Sequence, residues 1–242
     1  MKHFVFCALA ATILFSCEKE VKPTMNVTGT VKGLKKGTLY LQKIEDTLLV
    51  TLDSIEVKGD PQFQFSTEIE SPEMYYLYLN KKDGNEINDR IGFFGEEGTI
   101  IIDTEVDFFE KAAKIEGSET HKKLEEYKKM MARFNARHLE LLQAHFEARK
   151  DSNITEIDSI IGLSDRNLMR GYLYSLNFAL TNSKSHVAPY IALSEVFDAK
   201  FKYLDTIYKS LSPEVASSKY GKKLGEYIKE IKTEEPRDSL VN

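Results

Sequence analysis

The 242-residue chain is poor in the residues that most often staple a fold or carry chemistry. It has two cysteines, Cys7 and Cys17, and no tryptophan. Both cysteines fall near the start, so everything after Cys17 lacks a thiol. That excludes disulfides, dithiol exchange and thiolate metal ligation in the body of the protein, which has to be held by burial. Six prolines occur, none between Pro72 and Pro189, which leaves a long stretch without helix breakers. Charge runs are missing too. The 33 Lys and Arg are interspersed with 38 Asp and Glu for a formal net charge of −5, so no footprint for nucleic acid results. The histidines form no His-Glu-x-x-His and no Glu-x-x-His spacing. His138 and His145 stand two helical turns apart, roughly 10.5 Å, too far to be adjacent ligands of one metal, and His121 and His186 are isolated. No Gly-x-Ser-x-Gly elbow is present. No metal, cofactor or catalytic residue is expected.

What is present begins with a leader. Lys2 and His3 precede an apolar run from Phe4 to Phe15, and small Ser16 precedes Cys17, the three zones of a secretory signal. The run is too short to span a bilayer. Leu14-Phe15-Ser16-Cys17 resembles the lipobox of bacterial lipoproteins. That resemblance implies cleavage after residue 16, lipid on the Cys17 thiol, and a folded body tethered to the membrane by acyl chains. No Asp follows the cysteine in the manner of an inner-membrane retention signal, so the outer membrane is the expected location, facing either side. Residues 17–24 read as a tether. Within it, Glu18-Lys19-Glu20 resembles the acidic export tags of surface lipoproteins, with a plain charged linker as the other reading.

Punctuation residues divide the remainder. Nine of the thirteen glycines lie between Gly29 and Gly117, in short alternating runs. These are Asn26 to Val31, Thr38 to Gln42, Leu48 to Val57, Phe63 to Ile69, Glu73 to Leu79, Arg90 to Phe94, Thr99 to Asp103 and Ala113 to Ile115. About eight such strands predict an antiparallel β-sandwich over 25–117. Gln62-Phe63-Gln64-Phe65-Ser66 places both phenylalanines on one face, toward the core. Gly92 to Gly98 reads as a hairpin turn, because Glu96 and Glu97 would repel a phosphate.

After Gly117 the period becomes helical. Ser118 and Glu119 open a helix of nearly thirty residues whose stripe runs from Leu124 through Tyr127, Met131, Phe134 and Leu141 to Leu142 and Phe146, with a phase slip near His138. Asn153 with Glu156 caps a second helix, which carries Ile157, Ile161, Leu168, Tyr172, Leu176 and Ala179 on one face. The two form an antiparallel hairpin in this reading, and shorter helices from about His186, Lys200 and Ser218 complete a bundle over 118–232, followed by a tail at 233–242. The fold class is therefore α+β, a sandwich followed by a helical bundle.

Particular phrases resemble a family. Val27-Thr28-Gly29-Thr30-Val31, Gly37-Thr38-Leu39-Tyr40-Leu41, Leu52-Asp53-Ser54-Ile55 with Phe63-Gln64-Phe65, Glu70-Ser71-Pro72-Glu73-Met74-Tyr75, Glu97-Gly98-Thr99-Ile100 and Ile115-Glu116-Gly117-Ser118 resemble domain-of-unknown-function family 4369. That family typically precedes a thioredoxin-like domain of the AhpC/TSA, TlpA-like type in envelope proteins. The helical half, with Asn182 to Tyr190 and Leu211 to Lys222, is similar to what such proteins place next. The resemblance implies a following module with a Cys-x-x-Cys motif, whereas this sequence runs to Asn242 without one, so the family's redox activity is not carried over.

Two functional readings stay open. The first is a non-enzymatic binding or accessory module, recognising another envelope protein or a glycan or peptide, in the service of a separate thioredoxin-like oxidoreductase. The second is an envelope hydrolase with a site assembled from distant residues. Tyr75, Tyr78 and Phe94 are the candidate aromatic binding surface, set against the alternative that they are sandwich core. A groove between the two halves is the expected place for a site.

Overall fold

The computed structural model describes residues 23–81 and 89–234. The leader, Cys17 and nearly all of the tether lie outside the described residues, as do 82–88 and 235–242. Eight strands form two four-stranded sheets: β1 (Thr24–Lys32), β2 (Lys36–Glu45), β3 (Leu48–Lys58), β4 (Gln62–Glu68), β5 (Glu73–Asn80), β6 (Arg90–Gly95), β7 (Gly98–Glu105) and β8 (Lys114–Glu116). One sheet runs β4-β1-β7-β8 and the other β3-β2-β5-β6. The sandwich is antiparallel except that β1 and β7 pair in parallel, Val27 opposite Ile100. Alternation sets which side chains enter the core. Val27, Leu39, Leu41, Phe63, Phe65, Ile100 and Ile102 are buried between the sheets, and the polar residues between them face out.

The segment read as a hairpin at Gly92 to Gly98 does something else. Gly95 ends a strand of one sheet and Gly98 begins a strand of the other, so it carries the chain across the sandwich. Strand order is a long-range property, and local turn chemistry does not reveal it.

Six helices follow: α1 (Glu119–Lys150), α2 (Ile154–Thr181), α3 (Val187–Glu195), α4 (Phe201–Ser210), α5 (Pro213–Ser217) and α6 (Lys219–Glu234). Ser118 caps α1 by accepting from the His121 amide at 2.9 Å, and Asn153 caps α2 by accepting from Glu156 at 3.2 Å. α1 and α2 pack antiparallel, with the Tyr127 hydroxyl 2.7 Å from that of Ser175 and Asn167 Nδ2 donating to the Phe134 carbonyl at 2.9 Å. The described helices include none long and apolar enough to cross a membrane.

The halves are joined through β5 and β6. Along Met74-Tyr75-Tyr76-Leu77 and Ile91-Gly92-Phe93-Phe94, odd positions enter the sandwich core while Met74 and Phe94 turn to the opposite face and enter the helical core. Phe94 meets Tyr190 of α3 and Tyr220 of α6 edge-on, with centroids 5.4 and 5.9 Å away. The Met74 amide donates to the Tyr220 hydroxyl at 3.2 Å, and the Lys219 amide to Ser71 Oγ at 3.1 Å. Buried Glu73 pairs with Lys219 and, at 3.5 Å, with Lys43.

Candidate functional site

A concavity of about 1310 Å³ lies where the sandwich meets the helices. Its floor is the outer face of β5 and β6, with Met74, Tyr76 and Gly92. One wall is the first turns of α1, through His121, Leu124, Glu125 and Lys128, and the other is the 3₁₀ turn at Val106–Phe108 and edge strand β8. Both signs of charge line the rim, with Arg90, Lys114 and Lys128 facing Asp107, Glu116 and Glu125.

The groove runs along an unpaired sheet edge. Among the described strands, β6 ends its sheet and pairs only with β5. The Leu79 amide donates to the Asp89 carbonyl at 2.8 Å, which fixes the alternation of the ladder: positions 89, 91, 93 and 95 direct their backbone groups to β5, and Arg90, Gly92 and Phe94 direct theirs outward. The outward amide of Phe94 donates to His121 Nδ1 at 3.3 Å. Those of Arg90 and Gly92 face the groove, with no strand beside them among the described residues.

His121 is the pin of this arrangement. It is 2 % exposed, and burial lowers its pKa to about 4, against a smaller opposing pull from Glu125. With Nδ1 accepting from Phe94, the neutral ring carries its proton on Nε2, which faces Glu125 Oε1 at 3.6 Å. A ring so committed has no free lone pair to act as a general base. Next to it, Glu96 accepts from Thr120 Oγ1 at 2.6 Å, a carboxylate at the start of α1 where the helix dipole favours it. Among the described residues no group of three or more His, Cys, Asp or Glu is placed to hold a metal ion.

The aromatic surface expected from Tyr75, Tyr78 and Phe94 is not formed. Tyr75 is 1 % exposed inside the sandwich and Phe94 is fully buried in the helical core, because β5 and β6 are covered on both faces. Tyr78 is half-buried, stacked on Tyr40 at 5.8 Å with the Arg90 guanidinium 5.2 Å from its ring centroid. The aromatic residues that line the groove are Tyr76, Phe108, Phe109 and Tyr190. Cys17 lies outside the described residues. The sequence carried a signal for His121 in the Ser118-x-x-His121 cap, but none for the free edge of β6.

Residues 25–124 match the family described as Domain of unknown function (DUF4369). The match runs past the sandwich into the first turns of α1, the turns that pin β6 through His121 and Glu96 through Thr120. No curated protein and no solved structure matches the chain. The sandwich with the opening of α1 thus corresponds to a domain-of-unknown-function family.

Proposed function

We propose that this protein is a non-enzymatic binding module of the cell envelope, anchored in the outer membrane through lipid on Cys17, that takes up an extended segment of a partner protein along the free edge of β6. The observation that carries the reading is the outward backbone of Arg90 and Gly92 inside a groove between the two halves. An added strand forms main-chain hydrogen bonds to such an edge, and its alternate side chains reach the floor at Met74 and Tyr76 or the mixed-charge rim. Mixed charge favours a polypeptide over a ligand of one sign. The commitment of His121 to the backbone of Phe94 counts against the hydrolase reading. The family resemblance carried by the sequence phrases makes a thioredoxin-like oxidoreductase the first partner to seek.

Gly92→Pro tests this. Proline removes the outward N–H without touching the ladder to β5, so the edge strand tolerates it. Recovery of envelope proteins after brief cross-linking in cells is expected to show a partner with the wild-type chain and its loss with the variant. Equal recovery by both places the contact elsewhere, and recovery of nothing by the wild type removes the binding reading.

A further inference from the structure

The α1–α2 hairpin carries apolar residues on two faces. The inner face packs α1 on α2 through Leu124, Tyr127, Leu141 and Ala148 against Ile160, Gly171, Ser175 and Phe178. A second stripe follows on each helix at spacings of three and four. On α1 it runs Asn135, Leu139, Leu142, Phe146, and on α2 Ile154, Asp158, Ile161, Asp165, Leu168, Tyr172. Such spacing is the seam pattern of packed helices. Asn135 of the first stripe and Asp165, Leu168 and Tyr172 of the second line one groove of about 630 Å³, so both stripes open on the same side of the hairpin.

Among the described residues, nothing covers this side from Leu139 to Phe146 and from Ile154 to Leu168. Leu139 is 65 % exposed, Phe146 55 %, Ile154 72 % and Leu168 56 %, with Leu142 at 42 % and Ile161 at 46 %. At roughly 150–200 Å² for a fully exposed residue, the lower part of the range for large side chains, these six present roughly 500–700 Å². That is at the upper end of the largest apolar patch of an ordinary monomer and approaches the ~800 Å² that each partner buries in a stable complex.

We propose that the occupant is a second copy of this chain, the two hairpins closing face to face into a four-helix bundle about a two-fold axis. A two-helix hairpin with one apolar side is half of such a bundle, and a second copy supplies the same stripe and the same area. Charge favours α1 of one copy against α2 of the other. The α2 stripe holds Asp158 and Asp165, whereas the α1 stripe holds no acid and is bounded by Lys128 and Lys150 at the same helical phase. Setting α2 against α2 would crowd four carboxylates.

The test is cross-linking of the full-length chain with a short bis-maleimide from a cysteine introduced by Ile161→Cys, with Leu173→Cys as the control off the stripe and the unaltered chain as the baseline for Cys7 and Cys17. A species of twice the chain mass, several-fold more abundant for Ile161→Cys than for either control, is expected, and Leu139→Lys added to Ile161→Cys should abolish it while far-UV circular dichroism stays unchanged. Absence of the double-mass species at micromolar concentration overturns the proposal. Cross-linking in cells to a different protein in place of a second copy overturns it as well.

Discussion

At the scale of single residues, His121 links acid sensitivity to the seam. Its pKa falls from 6.5 in the unfolded chain to about 4 in the fold, chiefly through burial. Above pH 6.5 both states are neutral there and stability is complete. As pH drops from 6.5 to 4 the unfolded chain binds a proton that the folded one does not, and stability falls by on the order of 3 kcal/mol before levelling off. Burial lowers the His186 pKa in the same direction. Urea unfolding across this window should show the loss, and His121→Gln, which keeps an acceptor for the Phe94 amide, should flatten it. A slope unchanged in the variant contradicts the assignment. Gly117 is the other exacting position. It has φ +91° and a Cβ there would strike the Thr99 carbonyl, so Gly117→Ala should cost about 2 kcal/mol or more by thermal unfolding.

At the scale of elements, the strands and helices were largely legible because each carries its own period and its own caps. Asn153 is an instance: it was readable as a cap and accepts from the Glu156 amide, so Asn153→Ala should destabilise by about 1 kcal/mol. What was illegible was the assignment of faces where a helix has two. The apparent phase slip near His138 is a change of face, since Leu141 continues the buried stripe while Leu142 and Phe146 belong to the exposed one. Ile161 and Leu168 share an apolar face of α2 as the spacing reads, yet are 46 % and 56 % exposed, because Ile160 and Gly171 face α1 instead. Periodicity locates apolar stripes and does not say which neighbour each one meets. The same limit hid the free edge of β6. Tyr75 and Phe94 read as aromatic and alternating, yet only the sheet order, with helices laid on β5 and β6, buries them and leaves the backbone edge of β6 as the exposed feature.

At the scale of the whole molecule, the groove exists because the bundle is fastened to the sandwich. The start of α6 does this through Lys219, which pairs with Glu73 and donates to the Ile44 carbonyl at 3.0 Å, and through Tyr220. Tyr220→Phe leaves the Met74 amide without its acceptor and should cost about 1–2 kcal/mol, read as a lower urea midpoint. The anchor belongs to this scale as well. Replacing the candidate lipid-bearing residue by Cys17→Ser should move the protein from the membrane fraction to the soluble one, and continued sedimentation with membranes would contradict the lipid reading.

The proposed function stands on the docking of a polypeptide strand along β6. The most direct test places a photo-reactive residue at exposed Arg90, irradiates cells, and identifies what is attached by mass spectrometry. Attachment to one stretch of an envelope protein is expected, and its loss when Gly92→Pro is added. Attachment that survives Gly92→Pro, or none above background, contradicts it.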